Sequence, residues 1–365
     1  MGAKPPVITM TPPMPGKPRP IVLIGAGGIV NDAHLPAYRK AGFPVAGIFD
    51  LDASRAETTA RAFGVPAVYP SLDSAVARAP KGAVFDVAVP ASAIADILPR
   101  LPDGAGVLIQ KPMGESIAQA RLIRELARSK RLQAAINFQL RYAPVILAAR
   151  SLIEQGAIGQ LHDMEVRVTA YTPWHLWKFM ETVPAAEITY HSIHHLDLMR
   201  SFLGQPRGIY AKSVRHPKAS RIDGTSSDFA LDYGDFTRCL ITTNHHHEYG
   251  SRHQESYVKW EGSQGAIKAK LGVLLDYPKG VPDELEYCIL EEGEPPVWRA
   301  VTPSGNWFPD AFIGTMASVM RRLEGSAPSI PTSVEDAYKT MILVDAAHRS
   351  SQVGATPVPD DDTDR

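Results

Sequence analysis

Two kinds of apolar segment alternate along the first 140 residues. Short runs that are apolar on both faces are typical of buried parallel strands, and they lie at 21–24, 45–49, 85–89, 107–109 and 133–137. Segments with helical spacing separate them, and the best of these are 53–63 and 116–129. A shorter pair, Val68-Tyr69, is a further strand candidate. This alternation predicts a doubly wound parallel sheet, an α/β domain, over residues 20–140.

The pattern changes after a predicted helix at 144–155. From Leu161 onward, most segments alternate apolar and polar residues in period two, which predicts strands at 162–171, 208–216, 227–233, 238–248, 255–262 and 266–271. Successive strands without intervening helices favour an antiparallel sheet. We therefore expect a second, α+β domain over 141–354 with a large, open, mainly antiparallel sheet. One helix near 186–203 interrupts it, and helices at 312–323 and 334–350 close the domain and pack back.

The two ends of the chain differ from the rest in composition. Residues 1–19 are rich in proline and lack an apolar signal core, so they predict a disordered leader. Residues 355–365 contain three consecutive aspartates and predict a disordered acidic tail.

Overall composition narrows the classes of function. A net charge of −1 gives no general attraction to nucleic acid or to an anionic membrane. No apolar run approaches the ~18 residues of a membrane span. The two cysteines, Cys239 and Cys288, lie in strand-like stretches and are expected to be buried thiols of a cytoplasmic protein.

Strand 21–24 is followed by a glycine turn, a helix and a second strand that ends in Asp50. This layout is typical of a dinucleotide-binding βαβ unit. Gly25 allows the tight turn and Gly27 lets the backbone approach a pyrophosphate. Gly28 and Ile29 begin the helix whose free N–H groups face the phosphates. We therefore predict a bound NAD.

Asp50 bears on the choice between NAD and NADP. Its carboxylate can accept hydrogen bonds from ribose hydroxyls and repels a 2′-phosphate, so NADP is disfavoured, although Arg55 moderates this preference. The third glycine position of the motif holds Val30, which is expected to alter helix packing without abolishing binding.

Several further motifs join the glycine turn: 108–114 (LIQKPMG), 137–144 (NFQLRYAP), 260–265 (WEGSQG) and 333–337 (SVEDA). Together they resemble the glucose–fructose oxidoreductase/inositol dehydrogenase/rhizopine-catabolism (Gfo/Idh/MocA) family over residues 20–354. The resemblance implies a Rossmann domain followed by an open antiparallel sheet. It also implies hydride transfer from a sugar or cyclitol hydroxyl to nicotinamide, and a homodimer or homotetramer.

Lys111 follows a buried strand, at the edge of the sheet where ligands bind. The resemblance implies that it holds the reacting hydroxyl or shares its proton. Gln110 stands where the family usually has a glutamate that orients the cofactor, and Pro90 ends the neighbouring strand. We expect all three residues to line the cofactor site. The alternative for Lys111 is a solvated lysine in a turn.

A histidine-rich segment, 187–197, carries the second group of candidates. Anchoring the family pattern on 197–204 places His194 at the catalytic histidine and Tyr190 where the catalytic aspartate usually stands. A shifted alternative pairs His191 with Glu187, four residues earlier. His191 and His195 have a spacing that can bind zinc, but family members need no metal and none is expected.

Other side chains are weaker candidates. Trp174, His175 and Trp177 can form a substrate loop, in which aromatic rings stack on sugar C–H faces, or a hydrophobic lid without ligand contact. His191 and His195 are also candidates for substrate contact. His245 and His247 are expected on one side of a strand and His246 on the other, while Arg141 and Tyr142 are expected to be structural.

The leading hypothesis is an NAD-dependent dehydrogenase of a secondary or anomeric hydroxyl, with Lys111 and His194 handling the proton. One alternative is an NAD-retaining glycosidase or epimerase in which oxidation is transient. A second is a catalytically silent NAD-binding regulator, which the residues at 110 and 190 keep open.

Overall fold

A computed structural model describes residues 6–277 and 279–355 of the protein. The first domain contains a five-stranded parallel sheet in the order β2-β1-β3-β4-β5. Its strands are β1 (Ile21–Ile24), β2 (Val45–Phe49), β3 (Val84–Val87), β4 (Gly106–Ile109) and β5 (Gln133–Ile136). Val68 adds a parallel bridge to Ile48 of β2. Counting it as a short strand gives the strand order of the dinucleotide-binding fold, 3-2-1-4-5-6, and confirms the predicted doubly wound sheet.

Helices cover both faces of this sheet. They are α1 (Leu35–Ala41), α2 (Ala53–Phe63), α3 (Leu72–Ala77), α4 (Ile94–Ile97) and α5 (Ile117–Ser129). Local signals fix their ends: Ser116 caps α5 by accepting a hydrogen bond from the Gln119 N–H at 3.2 Å, and Gly64 ends α2 with a φ of 70°.

The second domain contains an eight-stranded sheet in the order β13-β12-β11-β10-β6-β9-β8-β7. Its strands are β6 (Leu161–Thr169), β7 (Gly208–Val214), β8 (Ser226–Asp232), β9 (Arg238–Asn244), β10 (Glu255–Gly262), β11 (Gly265–Lys270), β12 (Glu284–Ile289) and β13 (Trp298–Val301). All neighbours are antiparallel except β6 and β9. The predicted α+β domain is therefore confirmed. The strand predicted to reach residue 248 ends earlier, at Asn244, and the period-two pattern had not indicated β13.

The remaining α-helices of the described residues are α6 (Pro144–Glu154), α7 (Ile193–Leu203), α8 (Ala311–Glu324) and α9 (Val334–Val353). Although α8 is late in the chain, it packs on the first sheet. Phe312 and Met316 of this helix share one buried cluster with Leu23 of β1 and Leu108 of β4.

Arg141, at the start of the second domain, forms ion pairs with two helices of that domain. Its guanidinium donates to both carboxylate oxygens of Asp197 on α7, at 2.6 Å each, and to Asp336 of α9 at 2.6 Å. Burial alone would lower the pKa of Arg141, but the two carboxylates hold it above its ordinary value. This bidentate geometry agrees with a structural role.

The expectation of a disordered leader is wrong for the described residues 6–19. The Val7 N–H donates to Gln155 Oε1 at 3.1 Å, and the Thr9 N–H donates to Ser151 Oγ at 3.0 Å, both at α6. The Gly16 N–H donates to the Glu324 carboxylate at the end of α8. A proline-rich chain is already extended, so docking it costs little conformational entropy. The tail predicted for 355–365 lies, apart from Ala355, outside the described residues.

Both cysteines are free and buried, as predicted. Burial raises the pKa of the Cys239 thiol to about 12. Within the described part of the chain, no helix is both long and apolar enough to span a bilayer.

Candidate active site

The glycine turn lies at the carboxyl end of β1. Gly25 has a φ of 110°, and a Cβ at this position would lie 2.3 Å from the carbonyl oxygen of Ala88. Only glycine fits there. A Cβ at Gly27 would meet no atom within 4 Å. The turn therefore leaves open space beside the backbone, as a bound pyrophosphate requires.

The helix that follows the turn begins with a π-helical stretch, Val30–His34, before α1. Val30 is fully buried, and its carbonyl accepts a hydrogen bond from the Leu35 N–H, five residues on. The Asn31 side chain also donates to the carbonyl oxygens of Ala26 and Gly27, at 3.1 and 2.9 Å. The valine in the third glycine position thus coincides with a widened first turn, while the glycine turn itself is held in place.

Asp50 follows β2 and faces the glycine turn. Its Oδ2 accepts the Ala26 N–H at 2.7 Å, and its Oδ1 accepts the Asp52 N–H at 2.9 Å. A carboxylate has about four acceptor sites, so capacity remains for ribose hydroxyls. Arg55 lies 3.8 Å from Asp52 rather than at Asp50. Together with the open space at Gly27, this geometry fits an NAD.

Pro90, Gln110 and Lys111 follow β3 and β4 at the same edge of the sheet. Pro90 is exposed, and Gln110 is buried with its Oε1 accepting the Lys111 N–H at 2.9 Å. The structure therefore brings all the predicted cofactor residues to the carboxyl edge of the parallel sheet, where ligands of this fold bind.

Lys111 points into the protein. Its Nζ donates to the carbonyl oxygen of Tyr190 at 2.7 Å and lies 5.7 Å from the centre of the Tyr190 ring. Burial lowers the pKa of Lys111 to about 8. This residue is thus no solvated turn lysine, and it exchanges readily between amine and ammonium near neutral pH.

The accepting carbonyl belongs to a second π-helical stretch, Ile188–Ser192, which precedes α7. Such insertions widen a helix and recur at functional sites. Here the stretch carries Tyr190 and His191 toward Lys111.

Of the three histidines of this segment, His194 and His195 are buried and His191 is half-buried. Burial first, then the neighbouring His245 and Lys111, hold the pKa of His191 well below 6.5. Burial first, then the charge of Lys111, does the same for the pKa of His194. Burial lowers the pKa of His195 to about 4. Both candidate histidines are neutral imidazoles at pH 7, as a proton acceptor requires.

Tyr190 lies between a carboxylate and an aromatic ring. Its hydroxyl donates to Glu115 Oε1 at 3.2 Å, and the Phe179 ring packs on its edge at 5.4 Å. Burial, followed by the Glu115 charge, raises the pKa of Tyr190. The phenol is therefore neutral, and a carboxylate reaches this place from residue 115.

The three candidate side chains of the loop after β6 differ in their contact with the site. Trp174 is buried, with its ring 5.0 Å from that of His191 at a tilt of 31°. Trp177 is half-buried and packs on a small apolar cluster that includes Trp174 and Tyr190, whereas His175 is exposed. Trp174 thus lies in the site, and His175 shows no contact with it.

The three histidines after β9 contact different neighbours, and the strand itself ends before them at Asn244. His245 is buried with its ring 4.5 Å from that of His191. His246 stacks on His216 at 4.0 Å, on the other side, and His247 packs on Tyr249.

Two contacts of the site carry no sequence signal that we identified. Trp307, from the loop before α8, meets His194 edge-on at 5.8 Å. Glu115, just after the Lys-Pro motif, meets Tyr190. Over residues 6–277 and 279–355, no group of three or more histidine, cysteine, aspartate or glutamate side chains has the geometry of a metal site.

Comparison with known proteins identifies the family. Residues 19–138 match the model of an oxidoreductase family with an NAD-binding Rossmann fold (Gfo/Idh/MocA), and residues 146–268 match the C-terminal domain of the same family. The chain belongs to the Gfo/Idh/MocA oxidoreductases, and its cofactor is NAD.

Individual relatives are distant. The uncharacterized oxidoreductase YhhX of Escherichia coli is 27% identical over 149 residues, which are 40% of this chain and 41% of that protein. The chain thus matches only about two fifths of the length of this curated relative.

Two solved structures share the fold over nearly their whole length. A levoglucosan dehydrogenase in complex with NADH and levoglucosan has a TM-score of 0.76 and 18% identity, over 92% of this chain and 98% of that one. A putative myo-inositol dehydrogenase from Sinorhizobium meliloti has a TM-score of 0.72 and 22% identity, over 92% and 98%. At such identities these structures show the fold alone.

Proposed function

We propose that the protein is an NAD-dependent dehydrogenase that oxidises a secondary or anomeric hydroxyl of a sugar or cyclitol. The observation that carries this proposal is the place of Lys111. Its buried Nζ, with a pKa of about 8, lies at the carboxyl edge of the NAD-binding sheet beside two neutral imidazoles. The levoglucosan and putative inositol dehydrogenases support a polyhydroxylated substrate.

The chain's own groups would divide the work as follows. The Gly25–Ile29 turn and Asp50 hold NAD, which when bound supplies the hydride acceptor. Lys111 Nζ holds the substrate hydroxyl and takes up or shares its proton, and the His194 ring is the second acceptor. The buried rings of Trp174 and Trp307 exclude water from this region.

Turnover with a panel of sugars and cyclitols, in the presence of NAD⁺ or NADP⁺, tests the proposal. Steady accumulation of NADH with at least one polyol, and a preference for NAD⁺ that Asp50→Asn narrows, is the expected result. Product without net NADH would instead indicate a cofactor-retaining glycosidase or epimerase. Tight NAD binding without any turnover would indicate a regulator.

We further propose a homodimer or homotetramer formed through the outer face of the second sheet. On that face the half-buried Tyr257 donates to Glu165 at 2.6 Å, and the exposed Arg167 pairs with the exposed Glu255 at 2.6 Å. Light scattering on the purified protein decides, and a monomer at micromolar concentration would contradict this proposal.

A further inference from the structure

A carboxylate lies buried behind the histidines of the site. Glu187 is fully buried, and its oxygens accept hydrogen bonds from the hydroxyls of Ser192 at 2.5 Å, of Thr243 at 3.0 Å, and of Ser227. Thr243 Oγ1 itself accepts the Ser227 N–H at 3.1 Å, so its own proton is available to Glu187. Side chains from β8, from β9 and from the π-helical stretch Ile188–Ser192 thus converge on one carboxylate.

The neighbour of Glu187 on the side of the active site is His245. The His245 Nε2 lies 3.6 Å from Glu187 Oε1, and its Nδ1 lies 3.1 Å from Thr172 Oγ1. If the Thr172 hydroxyl donates to Nδ1, the ring proton is on Nε2, where it faces the carboxylate. A negative charge at this place favours that tautomer.

The ring of His245 in turn packs against the ring of His191. The two rings are 4.5 Å apart with a tilt of 46°, and Trp174 covers His191 at 5.0 Å. His191 directly follows Tyr190, whose carbonyl oxygen receives the Lys111 hydrogen bond. The ring of His194 meets Trp307 edge-on, and the Nδ1 atoms of both His191 and His194 are buried without a hydrogen-bond partner among the described residues. The ring of His191 is therefore oriented by its ring contacts with His245 and Trp174.

The energetics argue against a purely structural role for Glu187. Burial raises its pKa, and the hydroxyls of Ser192, Ser227 and Thr243 oppose this only in part. A buried acid whose pKa is raised by folding destabilises the folded state above that pKa. A carboxylate kept at such a cost is more often functional than structural.

We propose that Glu187 and His245 form a buried positioning pair that fixes the tautomer of His245 and thereby the orientation of His191 beside Lys111. The Glu187 carboxylate thus lies next to His245, behind the histidines of a site in which residue 190 is a tyrosine. The role for His191 rests on the proposed dehydrogenase activity, whereas the tautomer of His245 does not.

Two variants and a matched control test the pair. Glu187→Gln keeps the shape and removes the charge, and His245→Asn removes the ring. Each is expected to lower kcat about 10- to 100-fold, because a small misplacement of the groups around Lys111 costs up to about 10²-fold. KM and NADH affinity should stay within about twofold. The control His246→Asn removes the adjacent ring, which faces His216, and should leave kcat unchanged.

A double variant and NMR distinguish a positioning role of Glu187 from a role in stability alone. In a His191→Asn background, Glu187→Gln should lower kcat no further, because its effect passes through His191. Nitrogen NMR shifts should show the Nε2–H tautomer of His245 in the wild type and a changed population in Glu187→Gln. The thermal midpoint of Glu187→Gln should not fall, since the variant removes a buried charge.

Wild-type kcat in folded Glu187→Gln, or a full additional loss in the His191→Asn background, would overturn the proposal. An unchanged His245 tautomer would also overturn it. If the wild type itself turns over no substrate, the proposed function fails, and the tautomer measurement alone still decides on the pair.

Discussion

Replacing Lys111 by methionine should separate activity from stability. The pKa of this side chain falls from 10.5 to about 8 on burial, a difference worth roughly 3 kcal/mol at about 1.36 kcal/mol for each pH unit. The folded chain binds fewer protons here than the unfolded chain between pH 8 and 10.5, so this contribution to the free energy of unfolding rises over that interval. Below pH 8 the full cost is present.

Lys111→Met removes this cost and also the hydrogen bond to the Tyr190 carbonyl. Leaving that carbonyl unpaired costs about 1 kcal/mol. We therefore expect the variant to be about 2 kcal/mol more stable than the wild type at pH 7 by urea unfolding. Its turnover should nevertheless fall at least ~10²-fold, the usual contribution of a group in the proton path.

The dependence of kcat/KM on pH tests the same role of Lys111. Oxidation needs the neutral amine, of which roughly a tenth is present at pH 7 and roughly nine tenths at pH 9. The kcat/KM for oxidation should rise with pH, with an inflection near pH 8 and a plateau above about pH 9, and the residual activity of Lys111→Met should lack this inflection. Near-normal turnover of the variant, or an inflection that survives the substitution, would refute the role of Lys111.

Substitutions at four further positions test the residues that hold the site in place. Gly25→Ala should destabilise the protein by about 3 kcal/mol or more, because its Cβ would collide with a backbone carbonyl at positive φ; Gly27→Ala, with open space, should cost little stability but weaken NAD binding in a fluorescence titration. Gln110→Glu should move the alkaline inflection to higher pH, since a carboxylate beside the lysine favours the ammonium, and an unmoved inflection would contradict this. Arg141→Met should cost about 3 kcal/mol in urea unfolding, because buried Asp197 loses its bidentate partner and keeps only the Thr340 hydroxyl and Arg200 at 3.9 Å; adding Asp197→Asn should recover part of this loss.

Much of the fold follows from local pattern. Strands such as β1 are apolar on both faces because helices cover both faces of a parallel sheet, and β10 alternates because only one face is covered. The glycine turn and Asp50 were predictable because the whole motif is contiguous with the strands that carry it. The local pattern does not predict a buried polar residue whose place depends on contacts with residues distant in the sequence. Asp86 lies inside buried β3 and is accommodated only because His34 and Tyr38 both contact its carboxylate at 2.7 Å.

The active site is harder to predict because its parts come from separate segments. Glu187 and His245 are 58 positions apart and meet only when α7 packs on the sheet, as their 3.6 Å separation shows. Trp307 and Glu115 reach the site from loops without periodicity. The i, i+4 spacing of Glu187 and His191 suggested a direct pair. A π-helical stretch begins at the residue after Glu187, and the carboxylate contacts His245 instead.

The two departures from the family pattern, at positions 110 and 190, have one common electrostatic effect. Glutamine and tyrosine are both neutral here, and the direct partner of Lys111 Nζ is an uncharged carbonyl oxygen. Burial is accordingly the single cause that shifts the pKa of Lys111, with no carboxylate to oppose it. A carboxylate at either position would stabilise the ammonium and move its pKa back toward 10.5. The neutral replacements therefore leave Lys111 better able to act as an amine near neutral pH, which is a reason to regard them as part of the chemistry of this chain rather than as losses.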